Sequence, residues 1–282
     1  MTSREQARHW EHPGLPGVDL LRARYVRHTF SRHAHAGYVI AAVTGGVEGI
    51  GLPGGRETAG AGGVVLINPE IPHTAYAGAA DGWSYRVLYP SPDVVSAVAA
   101  ETSALRGTPA FTATVLDDPV TARLIADVHG AAEKDNALAA DTFLRLAVAR
   151  LLTRYGSTPA VTTRPHGGPG AAARARDLLA ARLAAPPSLD ELAAETGTSP
   201  FALLRAFKSA YGLPPHAWLT GERVRAARRL LDAGVRPAAA AAAVGFTDQP
   251  HLTRHFTRIV GVPPGAYQRE RKNVQDRAAD AP

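Results

Sequence analysis

The chain of 282 residues contains no cysteine. Disulfides, cysteine-bound zinc and thiol nucleophiles are thereby excluded. Long apolar runs are also missing. No stretch approaches the ~20 residues that cross a bilayer, and the run Ala238–Ala243 is too short and too weakly apolar to span one. The opening residues, MTSREQARHWEHPG, set no apolar core behind their charges, so they do not read as a secretory signal. No Gly-rich phosphate loop, Gly-x-Ser-x-Gly elbow or His-Glu-x-x-His pair occurs. The expectation is a cytoplasmic protein with no cofactor and no membrane partner.

What the chain does contain is one unit written twice. Residues 192–218, LAAETGTSPFALLRAFKSAYGLPPHAW, return as residues 240–267, AAAVGFTDQPHLTRHFTRIVGVPPGAY. Ala194 and Gly197 match Ala242 and Gly245. After one extra residue, Leu203, Arg205, Phe207, Gly212, Pro214, Pro215 and Trp218 match Leu252, Arg254, Phe256, Gly261, Pro263, Pro264 and Tyr267. Charge follows the repeat. Of 31 Lys+Arg and 25 Asp+Glu, 16 and 10 lie from Ala171 onward, which leaves 15 and 15 before it. The whole basic excess sits on the repeated segment, as a phosphate-binding domain requires. A solvated basic surface would look the same by charge alone.

Each copy has the pattern of a helix-turn-helix. In the first, Ser188 and Glu191 form a capping box, Gly197 supplies a tight turn, Ser199 caps the next helix and Pro200 takes its first position. Leu203 and Phe207 then face the core. Phe201, Leu204, Arg205 and Lys208 share a different face and are the candidates for the major groove. A guanidinium at Arg205 suits guanine O6 and N7, Lys208 suits phosphate, and Phe201 and Leu204 suit thymine methyls. In the second copy Gly245 turns and Thr247 or Asp248 caps. Leu252 and Phe256 point inward, while Gln249, Pro250, Thr253, Arg254 and Thr257 lie outward. A helix from about Pro215 to Asp232 joins the units and spans ~27 Å, enough to set two recognition helices about one DNA turn apart. The plain alternative is a helical bundle with duplicated hairpins.

The N-terminal half reads differently. Short β-rich runs, Tyr38–Val43, Val64–Ile67 and Tyr85–Tyr89, are separated by Gly and Pro, and the stretch Gly45–Gly63 carries nine glycines and reads as turns. A small sandwich or barrel is expected. Asp117-Asp118-Pro119 then opens a helix with Val120, Leu124 and Val128 recurring at helical spacing. A second helix near Asp141–Tyr155 carries Phe143, Leu146, Ala147 and Leu151 on one stripe and stops at Gly156. This pair covers the barrel or pairs with a second chain. The fold class is α+β: residues 1–155 form a barrel with a helical pair, 156–170 a linker, 171–272 an all-α domain with two helix-turn-helix units, and 273–282 a polar tail.

The stretches SLDELAAETGTSPFALLRAFKSAYGLPPHAWL, RVRAARRLL and AAAVGFTDQPHLTRHFTRIVGVPPGAYQR resemble the DNA-binding domain of the AraC/XylS family of transcription regulators. FSRHAHAGYVIAAVTGG, GGVVLINPEIPHTAYAG and DGWSYRVLYP look like that family's cupin-type sensing domain. The resemblance implies that helices bearing Phe201, Leu204, Arg205, Gln249, Pro250 and Arg254 approach bases. Leu204 and Pro250 stand where polar readers are often found, which shifts weight to Arg205, Gln249 and Arg254. It further implies a small-molecule effector in the barrel, a homodimer, double-stranded DNA as partner and contact with RNA polymerase.

Within the barrel segment, His33, His35 and His73 have three readings: effector contacts, satisfied wall residues, or a metal site of His-x-His plus a distant His. The catalytic form of such a site adds a glutamate a few residues on. Here the first carboxylate is Glu48, 13 residues after His35. Tyr38, Trp83 and Tyr85 are candidates to line the pocket with the histidines, or to be plain core. Arg86, alternating with Tyr85, either pairs a ligand carboxylate or points outward. The expected function is an effector-responsive DNA-binding regulator without catalytic or metal residues. The alternative is a metal-dependent cupin enzyme with an appended DNA-binding domain.

Overall fold

A computed structural model describes residues 5–102, 105, 107–158 and 169–279. The chain divides into two compact units, a sheet-and-helix unit and a helical unit. Most of the segment 156–170, expected to be a linker, lies outside the described residues, as do the last three residues of the chain.

The sheet unit begins with strands β1 (Gln6–Glu11), β2 (Val18–Tyr25), β3 (Val39–Leu52), β4 (Gly55–Gly60), β5 (Val64–Ile67), β6 (Thr74–Ala77) and β7 (Trp83–Pro90). Helix α1 (Pro92–Thr102) follows, then the two-residue strands β8 (Ala110–Phe111) and β9 (Val115–Leu116), helices α2 (Pro119–Glu133) and α3 (Ala137–Tyr155), and β10 (Gly156–Ser157). The strand order is β1-β2-β7-β3-β5-β9, all antiparallel, with β4 and β6 also on β3. The 14-residue β3 explains the closure. Its first half pairs with β5 and β7, a register shift occurs between Val43 and Gly45, and its second half pairs with β4 and β6. A bulge bends a strand in this way and lets one sheet wrap around its own interior.

The stretch Gly45–Gly63, expected to be turns, is therefore largely strand. Glycine serves close packing there. A Cβ on Gly49 would lie 2.4 Å from the Tyr76 ring, and one on Gly51 would lie 2.4 Å from Thr74 Oγ1. The strand β1 and helix α1 carried no clear sequence signal.

Because side chains alternate, the sheet feeds two cores. One, inside the wrap, holds Leu21, Tyr25, Phe30, Val39, Ile50, Trp83 and Tyr85. The other, between the sheet and α1–α3, holds Trp10, Leu20, Tyr38, Ile40, Leu88, Ile125, Leu144 and Leu151. Helix α2 starts as expected: Asp118 caps it by accepting from the Thr121 N–H, with Pro119 in the first turn. Burial alone would raise the Asp118 carboxyl, but bidentate bonds from Arg150 and two from Thr121 hold it down at about 2. The expected stripe is buried in part. Val128, Ala147 and Leu151 are fully buried as the spacing requires, and Leu124 and Phe143 are half-buried, while Val120 and Leu146 are 51% exposed. Thr121, Ile125 and His129 on α2 and Leu144 and Val148 on α3 complete the buried faces.

The helical unit contains α4 (Pro169–Ala181), α5 (Leu189–Thr196), α6 (Pro200–Tyr211), α7 (Pro215–Asp232), α8 (Pro237–Ala243), α9 (Gln249–Val260) and the start of α10 (Pro264–Ala279), which from Arg269 onward belongs to the sheet-and-helix unit. Helix α10 runs through most of the segment read as a polar tail. Among the described residues, no helix is long and apolar enough to cross a membrane.

Candidate functional site

The two helix-turn-helix units are built from the same local parts. Ser188 and Glu191 close their capping box at the start of α5, and Gly197 ends that helix at φ 69°. Ser199 caps α6 by accepting from the Ala202 N–H, and Pro200 occupies the first turn. Leu203 and Phe207 are fully buried. In the second unit Asp248, rather than Thr247, caps α9 and accepts from the His251 N–H at 2.6 Å. Leu252 and Phe256 are fully buried, and Pro250 falls in the first turn, where its missing N–H has no helical partner to lose. Both α6 and α9 end in a left-handed glycine, Gly212 and Gly261, whose N–H returns to Lys208 O and Thr257 O. Each then packs its phenylalanine edge-to-face on the matching aromatic. Phe207 meets Trp218 at 6.1 Å between ring centroids, and Phe256 meets Tyr267 at 5.4 Å.

Over these shared cores the outward faces are presented as the spacing requires. On α6, Phe201 is 67% exposed, Arg205 and Lys208 are exposed and Leu204 is half-buried. The Arg205 guanidinium stands 5.0 Å over the Phe201 ring, a cation–π contact that steadies it before any ligand arrives. On α9, Gln249, Pro250 and Arg254 are exposed, and Thr253 and Thr257 are half-buried. The arginines of α7 take a different part. Arg223 Nε donates to Leu183 O at 2.8 Å, and burial pushes its guanidinium below the ordinary value. Arg228 Nε donates to the Tyr267 hydroxyl, which donates to Asp232 Oδ1 at 2.8 Å. These bonds tie α7 to both flanks of the unit. His251 and His255, which sequence reasoning passed over, lie against buried Phe246 at 5.2 and 5.8 Å. Burial lowers His255, with His251 and two arginines adding to it. Their helical spacing of four was the available signal.

The three histidines come together. His33 and His35 precede β3, His73 precedes β6, and one ring nitrogen of each lies within 4.8 Å of the others. The connection is pinned to the segment that carries His73: Phe30 N–H donates to Ala75 O, and Glu70 N–H to His35 O, both at 2.8 Å. His33 Nδ1 donates to Ser31 O and His73 Nδ1 to Ile71 O, each two residues back, which fixes the orientation of both rings. His35 lies 5.2 Å from the His73 ring and 5.0 Å from Tyr89. Among the described residues, no carboxylate joins this group.

The other expected pocket residues do not all share a core. Trp83 and Tyr85 are buried in the interior beside Tyr25 and Phe30, whereas Tyr38 faces the helices, donates its hydroxyl to Pro109 O at 2.5 Å and packs on Phe111. Tyr38 precedes the buried run of β3, and its parity places it on the opposite face from Val39. Glu48 is buried on the interior face of β3, its Oε2 without a protein partner, and burial pushes its carboxyl up to about 8. Burial thus favours its neutral form.

The residues thus combine an antiparallel sheet domain and a tandem helix-turn-helix domain on one chain. The comparisons match both. A family model for the AraC-like ligand binding domain matches residues 15–148, and one for a helix-turn-helix domain matches residues 192–270. The chain belongs to the AraC family of transcription regulators. This AraC-family chain is 25% identical over 237 residues to an uncharacterized HTH-type transcriptional regulator, YbfI, of Bacillus subtilis (strain 168), across 83% of this chain and 86% of that protein. The fold is also that of ToxT from Vibrio cholerae. The unsaturated fatty acid bound wild-type form from strain SCE256 aligns with a TM-score of 0.55 at 13% identity over 94% of both chains. The form from strain O395 aligns at 0.54 and 11% identity over 95% of this chain and 97% of that one. An AraC-family regulator with a ligand-binding domain and a DNA-binding domain is what the two halves make.

Proposed function

We propose that this regulator reads two successive major grooves with α6 and α9, under the control of a small molecule bound by the sheet unit. The observation that carries the DNA reading is the paired placement of Arg205 and Arg254, both exposed on helices whose buried cores are the same. Phe201, Leu204 and Lys208 complete one face; Gln249, Pro250 and Thr253 complete the other. The faces differ, so one chain recognises an asymmetric site. On a duplex selected by the full-length protein from a random library, Arg205→Ala and Arg254→Ala each weaken binding by ~1–3 kcal/mol and relax the preference in opposite halves of the site. Footprints identical to wild type for both variants would falsify the helix assignment.

For the effector we assign His33, His35 and His73, with Trp83 and Tyr85 as the aromatic interior behind them and Tyr38 as support from the other core. The barrel senses rather than catalyses. Leu138 at 80% exposed, with Leu146 and Val120 at 51%, supports a homodimer through α2 and α3. Residues 156–170 are the linker through which ligand and DNA units communicate, and contact with RNA polymerase and a cytoplasmic setting complete this reading.

The gathering of three ring nitrogens within 4.8 Å favours a second reading, a metal-dependent cupin enzyme with an appended DNA-binding domain. Stoichiometric metal in purified protein that is lost from a His33/His35/His73 triple alanine variant, together with turnover, decides for it. Metabolite-induced stabilisation of metal-free protein decides for the sensor.

A further inference from the structure

Three rows of side chains cross the helix-covered face of the sheet. The first is Trp10, Leu20, Leu88 and Ile40, directly paired across β1, β2, β7 and β3 and buried in the core beneath the helices. Two residues along each strand, the same face presents Arg8, Arg22, Arg86 and Ala42, again in direct register. The row after that begins with Gln6, Arg24 and Ser84. Like charges directly opposite one another on neighbouring strands are destabilising. Three arginines side by side, with a fourth on the next row, are thus a costly arrangement for a surface that only meets water.

These arginines border a concavity. A groove of about 430 Å³ is lined by Arg8, Arg22, Arg24 and Arg86, with Thr44 and Ser84 among the remaining walls, and none of the lining side chains is acidic. The volume lies in the small-molecule range of ~300–1,000 Å³. The fold already partly orders the guanidinium groups. Arg22 Nη1 donates to Glu133 Oε1 at 2.8 Å, Arg86 Nη1 to Ala126 O at 3.1 Å, Arg24 to Ser84 Oγ and Asp81 O, and Arg8 Nε to Glu270 Oε2 at 3.1 Å. Glu270 and Glu133 thus each hold one guanidinium group, those of Arg8 and Arg22. His129 is pushed down to about 3 chiefly by burial, with Arg86 and Arg22 adding to the shift. Planar guanidinium groups match carboxylate and phosphate oxygens two at a time, and several converging on a concave site select ligands with more than one anionic group.

We propose that this groove is a second ligand site of the sheet unit, taking a small molecule with two or more anionic groups, carboxylates or phosphates. It is independent of the histidine cluster and of the DNA-reading helices. Because Glu133 holds Arg22 from the rim, the ligand competes with an internal carboxylate, and removal of that carboxylate strengthens binding.

The test is calorimetric titration of the full chain with pyrophosphate and with citrate, with acetate as the monovalent control. Binding of either multivalent anion, weakening as sodium chloride is raised, is expected. Arg22→Gln and Arg24→Gln, both at partly exposed side chains, each weaken it about tenfold or more, whereas Glu133→Gln tightens it. Preference for pyrophosphate marks a phosphorylated ligand, and preference for citrate a polycarboxylate. The proposal is overturned if neither anion binds better than acetate, or if Arg22→Gln and Arg24→Gln, folded by circular dichroism, bind as wild type does. It is also overturned if a nonspecific DNA duplex displaces the bound anion, since the arginines would then be part of the DNA surface.

Discussion

The two helix-turn-helix units share a scaffold and differ in what they offer. Beneath both, a leucine and a phenylalanine four residues apart are fully buried, and the phenylalanine packs edge-to-face on an aromatic of the following helix. Above them, α6 shows Phe201 and Leu204 where α9 shows Pro250 and Thr253, and only the arginine recurs. Their turns differ too. A Cβ on Gly197 would meet open space, whereas one on Gly245 would lie 2.5 Å from Ala184 O. Duplication preserved what the fold needs and released what the ligand meets. The second turn also became part of the packing between the two halves of the unit.

The strongest way to break this comparison is at the shared core. Phe207→Ala and Phe256→Ala are each expected to cost ~3–5 kcal/mol, with similar values if the two scaffolds are energetically equivalent. Urea denaturation of the full chain measures both, and a difference larger than about 2 kcal/mol would show that one copy carries the unit.

The turns come next. Gly197→Ala asks alanine to hold φ 69° in open space and should cost about 1 kcal/mol. Gly245→Ala adds a clash with a backbone carbonyl to φ 87° and should cost at least twice as much. Equal losses in thermal unfolding would mean that the Ala184 contact relaxes freely.

The caps give the smallest effect. Ser199→Ala and Asp248→Ala each remove one bond to a helix N-terminus, for ~0.5–2 kcal/mol. The aspartate is also charged near the positive end of a helix dipole. Asp248→Ala should therefore be the larger loss at low ionic strength, and its excess over Ser199→Ala should shrink as sodium chloride is raised. Insensitivity of the difference to salt would remove charge from the explanation.

Much of the helical unit was legible because its instructions are local. A capping box, a turn glycine and a proline in the first helical turn act within four residues, so Ser188, Glu191, Gly197, Ser199 and Pro200 announce their roles in any context. The sheet unit was legible only in outline. The runs at Val64–Ile67 and Tyr85–Tyr89 read correctly as strands, but the glycines of Gly45–Gly63 read as turns when most of that segment is strand. A glycine required by close cross-strand packing looks, in sequence, like one required by a turn. For the helix pair, the existence of α2 and α3 was plain and their rotation was legible in part: Val128, Ala147 and Leu151 are buried as the spacing reads, while Val120 and Leu146 are exposed.

By itself, then, the sequence determined the two-part organisation, the paired helix-turn-helix units and the membership of three histidines in one candidate set. It did so because helix periodicity, capping and repetition are properties of short stretches of chain. Tertiary structure decided which side chains meet. It brought His33, His35 and His73 within 4.8 Å of one another, sent Tyr38 to the opposite core from Trp83 and Tyr85, and aligned Arg8, Arg22 and Arg86 in one row. Strand order and register set those encounters, and both arise from long-range pairing, which no local pattern of residues encodes.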